Sequence, residues 1–130
     1  MEEDIIRYKS NSWVIESSVE GTFLVTKNKG DSYTKTLQWM TSLDLSCNNL
    51  SGKIPLELTD LQELRSLNLS WNKLQGSIPM KIGAMKSLES LDLSMNLFSA
   101  KIPESITELN FLSTLKLSNN NFSGRIPMGT

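Results

Sequence analysis

A 24-residue frame constrains this chain more than any other feature: Asn48, Asn72, Asn96 and Asn120 recur in step, as do Pro55, Pro79, Pro103 and Pro127. The fullest copy runs from Leu61 to Ala84, LQELRSLNLSWNKLQGSIPMKIGA. It sets Leu61, Leu64, Leu67, Leu69, Asn72, Leu74, Gly76, Ile78 and Pro79 in fixed order. A period of this size means that one supersecondary unit is stacked on itself, because a single unit cannot bury its own apolar face.

Within each copy the apolar spacing shifts from three residues to two, as in Met40, Leu43, Leu45 and again in Leu112, Leu115, Leu117. The two-residue step is the period of a strand and places both side chains on one face. The chain must then turn inward, and the recurring asparagine stands at that turn. A buried amide bonds to backbone groups of its own coil and of a neighbour, so the asparagines are expected to form a ladder. Leu50, Leu74, Phe98 and Phe122 fill the core behind it. Gly52, Gly76 and Gly124 permit a tight backbone path. Ala100 interrupts that column, and its φ is expected to suit a residue with a Cβ. Ile-Pro begins the return, which Leu58, Ile82 and Ile106 close on the convex side. The predicted fold is a leucine-rich-repeat solenoid of α/β type, with a short parallel β-sheet on its concave face. Its stability passes from coil to coil.

The frame places four coils at residues 37–60, 61–84, 85–108 and 109–130, preceded by a non-repeat segment over 1–36. Residues 1–18 show no clean period in Ile5, Ile6, Tyr8, Trp13, Val14 and Ile15, and predict an irregular stretch. VEGTFLVT (19–26) reads as a strand and KNKGD (27–31) as a turn. A net charge of −1 gives no electrostatic case for nucleic acid. No segment has the roughly 18 apolar residues of a membrane span. The opening MEEDIIRYKSNSW lacks the apolar region of a signal peptide. The last coil stops at Thr130 without a polar-faced cap, so a piece of a longer repeat protein is expected.

Exposed positions of the strands form columns across the coils. One holds Asp44, Asn68, Asp92 and Lys116, and a second holds Cys47, Trp71, Met95 and Asn119. A third, nearer the flank, holds Thr41, Arg65, Glu89 and Ser113. Arg65, Trp71, Glu89, Met95 and Lys116 are the candidate partner-binding residues, with Trp71 and Met95 as anchors, since aromatic and Met side chains favour interface cores. Asp44 and Asp92 stand roughly 10 Å apart by strand spacing. They read as solvated members of a column before they read as a glycosidase pair. The chain has no histidine, which excludes a serine–histidine triad. Ser46, Ser70, Ser94 and Ser118 recur because a small hydroxyl suits the turn after the strand. Cys47 is the sole cysteine, so no internal disulfide forms, and neither a metal site nor a cofactor is expected. Asn49, Asn68 and Asn121 head N-x-S sequons, which carry meaning only for a chain in the secretory pathway. Lys53, Lys101 and Arg125 precede Ile-Pro and read as a solvated flank.

SLDLSCNNLSGKIP, SLNLSWNKLQGSIP and TLKLSNNNFSGRIP resemble the plant extracellular repeat LxxLxLSxNxLxGxIP. From about Val19 to Thr130 the chain is similar to the membrane-proximal ectodomain of plant receptor-like proteins of the disease-resistance and fungal-elicitor type. In that family a non-repeat island ends in a VTKG-like strand and turn, and about four repeats follow. Here the island end is FLVTKNKGDSYTKTL and the last phrase is GRIPMGT, with Glu20 where the family often carries tyrosine. The resemblance implies a cell-surface immune or developmental receptor without a kinase. It implies a peptide, elicitor or co-receptor kinase ectodomain as partner, and a location on the outer side of the plasma membrane. It implies recognition and not catalysis. Two other readings stand beside it: a secreted inhibitor of cell-wall-degrading enzymes of the polygalacturonase-inhibitor kind, and a truncated product with no independent function.

Overall fold

The computed structural model describes residues 41–127, apart from the side chain of Glu57, together with the backbone of residues 4–9, 12–17 and 24–26. Strands β1 (Asp4–Lys9), β2 (Ser12–Ser17) and β3 (Leu24–Thr26) form an antiparallel sheet in the order β1-β2-β3. The irregular stretch expected over residues 1–18 is therefore corrected to a hairpin, with Arg7 opposite Val14 and Ile6 opposite Ile15. Cross-strand pairing organises β-branched and aromatic residues that show no period along one strand alone. Of the strand expected over 19–26, residues 24–26 are a strand. Residues 19–23, the expected turn at 27–31 and Met40 lie outside the described residues.

Each unit makes one coil with two short strands, and the first three add a 3-10 turn. The first coil has β4 (Ser42–Asp44), β5 (Ser51–Gly52) and η1 (Leu56–Asp60). The second has β6 (Ser66–Asn68), β7 (Lys73–Gly76) and η2 (Met80–Ala84). The third has β8 (Ser90–Asp92), β9 (Leu97–Lys101) and η3 (Glu104–Glu108), and the fourth has β10 (Thr114–Lys116) and β11 (Asn121–Ser123). The first strands build the parallel concave sheet, ordered β10-β8-β6-β4, in which Leu43, Leu67, Leu91 and Leu115 stand in register. The fold is the expected leucine-rich-repeat solenoid. A second parallel sheet, β11-β9-β7-β5, was not anticipated. It pairs Ser51 with Lys73 and Gln75 with Leu97, a register two residues short of the repeat period. Its short strands hold too few alternating residues to be read from pattern alone.

The core is a column of leucines closed from both sides. Leu45, Leu69 and Leu93 of the L-x-L pairs are buried, as are Leu50, Leu74 and Phe98 behind the turn. Phe98 and Phe122 stack with ring centroids 6.0 Å apart and planes 11° from parallel. Leu58, Ile82 and Ile106 are buried within the 3-10 turns, as the convex closure requires. Each of those turns is entered through a proline with φ between −69° and −62°. Proline arrives with its φ already set and offers no N–H that a turn would leave unpaired.

The asparagine ladder forms. Asn72 Oδ1 accepts from the backbone N–H of Asn48 and of Leu50, both at 2.9 Å. Its Nδ2 donates to the carbonyls of Leu45, Leu69 and Ser70. Asn96 and Asn120 repeat the pattern one coil on, accepting from Leu74 and Phe98. Each amide thus satisfies its own coil and the coil before it.

The glycine column departs from expectation at one place. Gly52, Gly76 and Gly124 have φ of 83°, 82° and 75°, and Ala100 keeps the same left-handed turn at 68°. The column is therefore not relaxed at Ala100, because the neighbouring coils impose one backbone path. A Cβ in that region costs roughly 1–2 kcal/mol, so Ala100→Gly is expected to raise stability by about 0.5–1 kcal/mol after roughly 0.4–1 kcal/mol of added chain entropy is subtracted. Urea denaturation reads this as a higher midpoint at unchanged slope. A lower midpoint would show that the alanine methyl contributes more by contact than it costs in strain.

Candidate recognition face

Four columns of side chains rise from the concave sheet and its flank. Ser42, Ser66, Ser90 and Thr114 line up at the first position of the strands, a hydroxyl column that sequence reasoning did not single out. Its only signal in the sequence was recurrence of small hydroxyl residues, which looks like any tolerant surface site. The next column explains the recurring serine of the repeat. Asp44 Oδ1 accepts from the backbone N–H and the hydroxyl of Ser46, at 3.0 and 2.7 Å. Asn68 does the same with Ser70 at 2.9 and 2.7 Å, and Asp92 with Ser94 at 3.0 and 2.6 Å. These acceptors are turn locks. Each of the two carboxylates is engaged within its own coil. In the fourth coil Lys116, which cannot accept, leaves the column as an exposed cation.

The third residue after each member of that column takes the left-handed conformation. Cys47, Trp71, Met95 and Asn119 have φ between 58° and 59°. Asparagine tolerates this region well, whereas a bulky side chain there is uncommon. All four coils share the turn, so the coil geometry demands it, and the side chain sits away from the core. Trp71 is 59% exposed and Met95 half-buried. Cys47 is an exposed free thiol.

Trp71 and Met95 are brought together. With Cys47, Asn49, Lys73 and Leu97 they line an open groove of about 500 Å³ at the end of the concave strands. Leu97, 57% exposed, is the residue that sequence reading missed. Its signal was available, since it is apolar at a repeat position held elsewhere by Asn49, Lys73 and Asn121. Arg65 and Glu89 are exposed but do not line the groove. They sit just before the strands, where Arg65 N–H donates to the Thr41 carbonyl and Glu89 N–H to that of Arg65, at 2.8 and 2.7 Å. Lys116 likewise stands outside it. The five candidates thus divide into a groove pair and three charged residues on the remaining face.

Asn49 and Asn121 are exposed, whereas Asn68 is half-buried within the sheet. Lys53 is laid along the neighbouring coil: a Cβ placed on Gly76 would come 3.0 Å from its Cγ. Lys101 lies over Gly124 in the same manner, at 3.5 Å. The methylene stems cover bare backbone while the ammonium groups reach solvent. Among the described residues no helix is long and apolar enough to cross a membrane.

The sequence profile described as Leucine Rich Repeat matches residues 39–61, 63–85, 87–109 and 111–129. The chain belongs to the leucine-rich-repeat family. No curated protein sequence matches this leucine-rich-repeat chain. Solved structures do. It is similar to the BIR3–SERK2 complex from Arabidopsis thaliana, with 37% identity and a TM-score of 0.71, over 85% of this chain and 62% of that one. It is similar to the Arabidopsis receptor kinase HAESA in complex with the peptide hormone IDA and the co-receptor SERK1. There the identity is 32% and the TM-score 0.62, over 71% of this chain and 20% of that one. A plant ice-binding protein matches at 36% identity and a TM-score of 0.67, over 71% of this chain and 30% of that one. The chain therefore spans less than two thirds of the length of each. The leucine-rich-repeat ectodomain fold is a recognition module, and this chain shares it with plant receptor ectodomains.

Proposed function

We propose that this leucine-rich-repeat chain is part of a plant cell-surface receptor without a kinase, in immunity or development. It binds a peptide or elicitor, or the ectodomain of a co-receptor kinase, and has no enzymatic role. The observation that carries the reading is the groove in which Trp71, Met95 and Leu97 leave apolar surface unburied beside Lys73. Apolar anchors with a polar rim are the anatomy of interface hot spots. Arg65, Glu89 and Lys116 would frame the approach and set its orientation more than its strength. Similarity to receptor ectodomains in complexes supports this class of partner, and similarity to the ice-binding protein shows that the scaffold serves other ends. The site, and not the fold, therefore has to carry the assignment.

The test is binding of a SERK-type co-receptor ectodomain, with and without a candidate peptide, to the chain and to its Trp71→Ala/Met95→Ala variant. Loss of two central anchors is expected to weaken binding roughly 100-fold, about 2–3 kcal/mol. Unchanged affinity in the double variant would rule out the groove as the contact.

A further inference from the structure

The three N-x-S sequons are equivalent in the sequence and unequal in the fold. Asn49 is exposed, follows the ladder residue Asn48 and has φ 58°. Asn121 and Ser123 are both exposed on β11. Asn68 lies half-buried in β6, with β4 on one side and β8 on the other. Its partner Ser70 is only 5% exposed, and the Ser70 hydroxyl is spent on Asn68 Oδ1 at 2.7 Å. The Ser70 backbone N–H goes to the same oxygen at 2.9 Å.

We infer that Asn49 and Asn121 are N-glycosylated and that Asn68 is not, because closure of its coil hides the sequon. The inference rests on the extracellular reading proposed above. The donor is a dolichyl-diphosphate oligosaccharide. The asparagine Nδ2 forms a bond to the anomeric carbon of the first sugar and gives up a proton. The bond from that carbon to the diphosphate oxygen breaks, and dolichyl diphosphate leaves with the electron pair. Transfer needs the amide nitrogen and the serine hydroxyl presented together in an accessible segment. Asn121 and Ser123 keep that access after folding, and so does Asn49 with Ser51 half-buried, whereas Asn68 has it only until β6 pairs with its neighbours. The outcome leaves the concave sheet bare and puts one sugar at the rim of the groove, on Asn49. A sugar on Asn68 would stand over the concave sheet, between Asp44 and Asp92. Asn49 and Asn121 are three coil steps apart, roughly 14 Å at the strand spacing. The sugars on Asn49 and Asn121 stand at the two ends of the column that carries Lys73 and Leu97, so a partner reaches the groove from the concave side, over Trp71 and Met95.

The experiment is secretory expression of the whole chain behind a leader peptide in plant cells, followed by glycopeptide mass mapping of all three sites in total cell extract and medium. Asn49 and Asn121 are expected to be mostly occupied, and Asn68 at least about tenfold less, in line with the cost of freeing a buried, hydrogen-bonded hydroxyl. The Asn72→Ala variant, which removes the ladder amide of the same coil, is expected to bring Asn68 up to the level of the other two. Equal occupancy of Asn68 in the unaltered chain overturns the inference, and so does a bare Asn49 or Asn121. An Asn68 that stays bare in the Asn72→Ala chain also overturns it, since the local sequence and not coil closure would then be the cause. Binding measured on unglycosylated chain made in bacteria tests the groove separately, so the two ideas fail independently.

Discussion

Asn72→Ala is expected to lower unfolding free energy by about 3–5 kcal/mol, or to abolish a cooperative transition altogether. The substitution removes five hydrogen bonds at once. It leaves the buried Leu50 N–H without its acceptor and takes one donor each from the carbonyls of Leu45, Leu69 and Ser70, which keep Asn48 Nδ2, Asn96 Nδ2 and the Cys47 N–H. The one stranded buried group costs on the order of 1–3 kcal/mol, and each of the other lost bonds about 0.5–1.5 kcal/mol. Asn72→Asp is the sharper comparison. It keeps the acceptor for Asn48 and Leu50 and loses the three donated bonds while placing a charge at a buried site. A loss close to that of alanine is expected. Urea denaturation followed by far-ultraviolet circular dichroism reads both variants. A loss below about 1 kcal/mol for alanine would mean that the ladder follows the coil path and does not hold it.

Phe98→Ala is expected to cost about 3–5 kcal/mol, the usual range for emptying a fully buried aromatic site. Phe98 has no exposed surface and stacks on Phe122 of the next coil. The deletion therefore removes packing inside the third coil and the contact that seats the fourth. In a linear array, coupling between neighbours carries cooperativity. The expected signature is a lower midpoint with a shallower or biphasic transition, as the fourth coil opens ahead of the others. Phe98→Leu, which restores the residue present at Leu50 and Leu74, should recover most of the loss. Equal damage from leucine would show that the stack itself, and not filled volume, holds the last two coils together.

Much of the scaffold is legible in the residues alone because the repeat reports each position four times. The inward strand pair, the asparagine at the turn and the convex closure by Leu58, Ile82 and Ile106 each follow from recurrence. The functional face is harder for the same reason. Asp44, Asn68 and Asp92 look like solvated surface, yet each locks the serine two residues on. Leu97 is a single departure from a polar column, and its weight appears only when Trp71 and Met95 share its groove. The N-terminal hairpin escapes pattern reading because its residues find partners only across β1 and β2.

The sequence by itself determined the period, the inner face of the concave strands and the ladder, since these depend on which side chains can satisfy a buried backbone at a fixed spacing. Tertiary stacking decided the rest. It holds Ala100 in a glycine conformation because adjacent coils share one backbone path. It staggers the second sheet by two residues. It separates three like sequons into two open sites and one closed, because accessibility belongs to the packed neighbour and not to the motif.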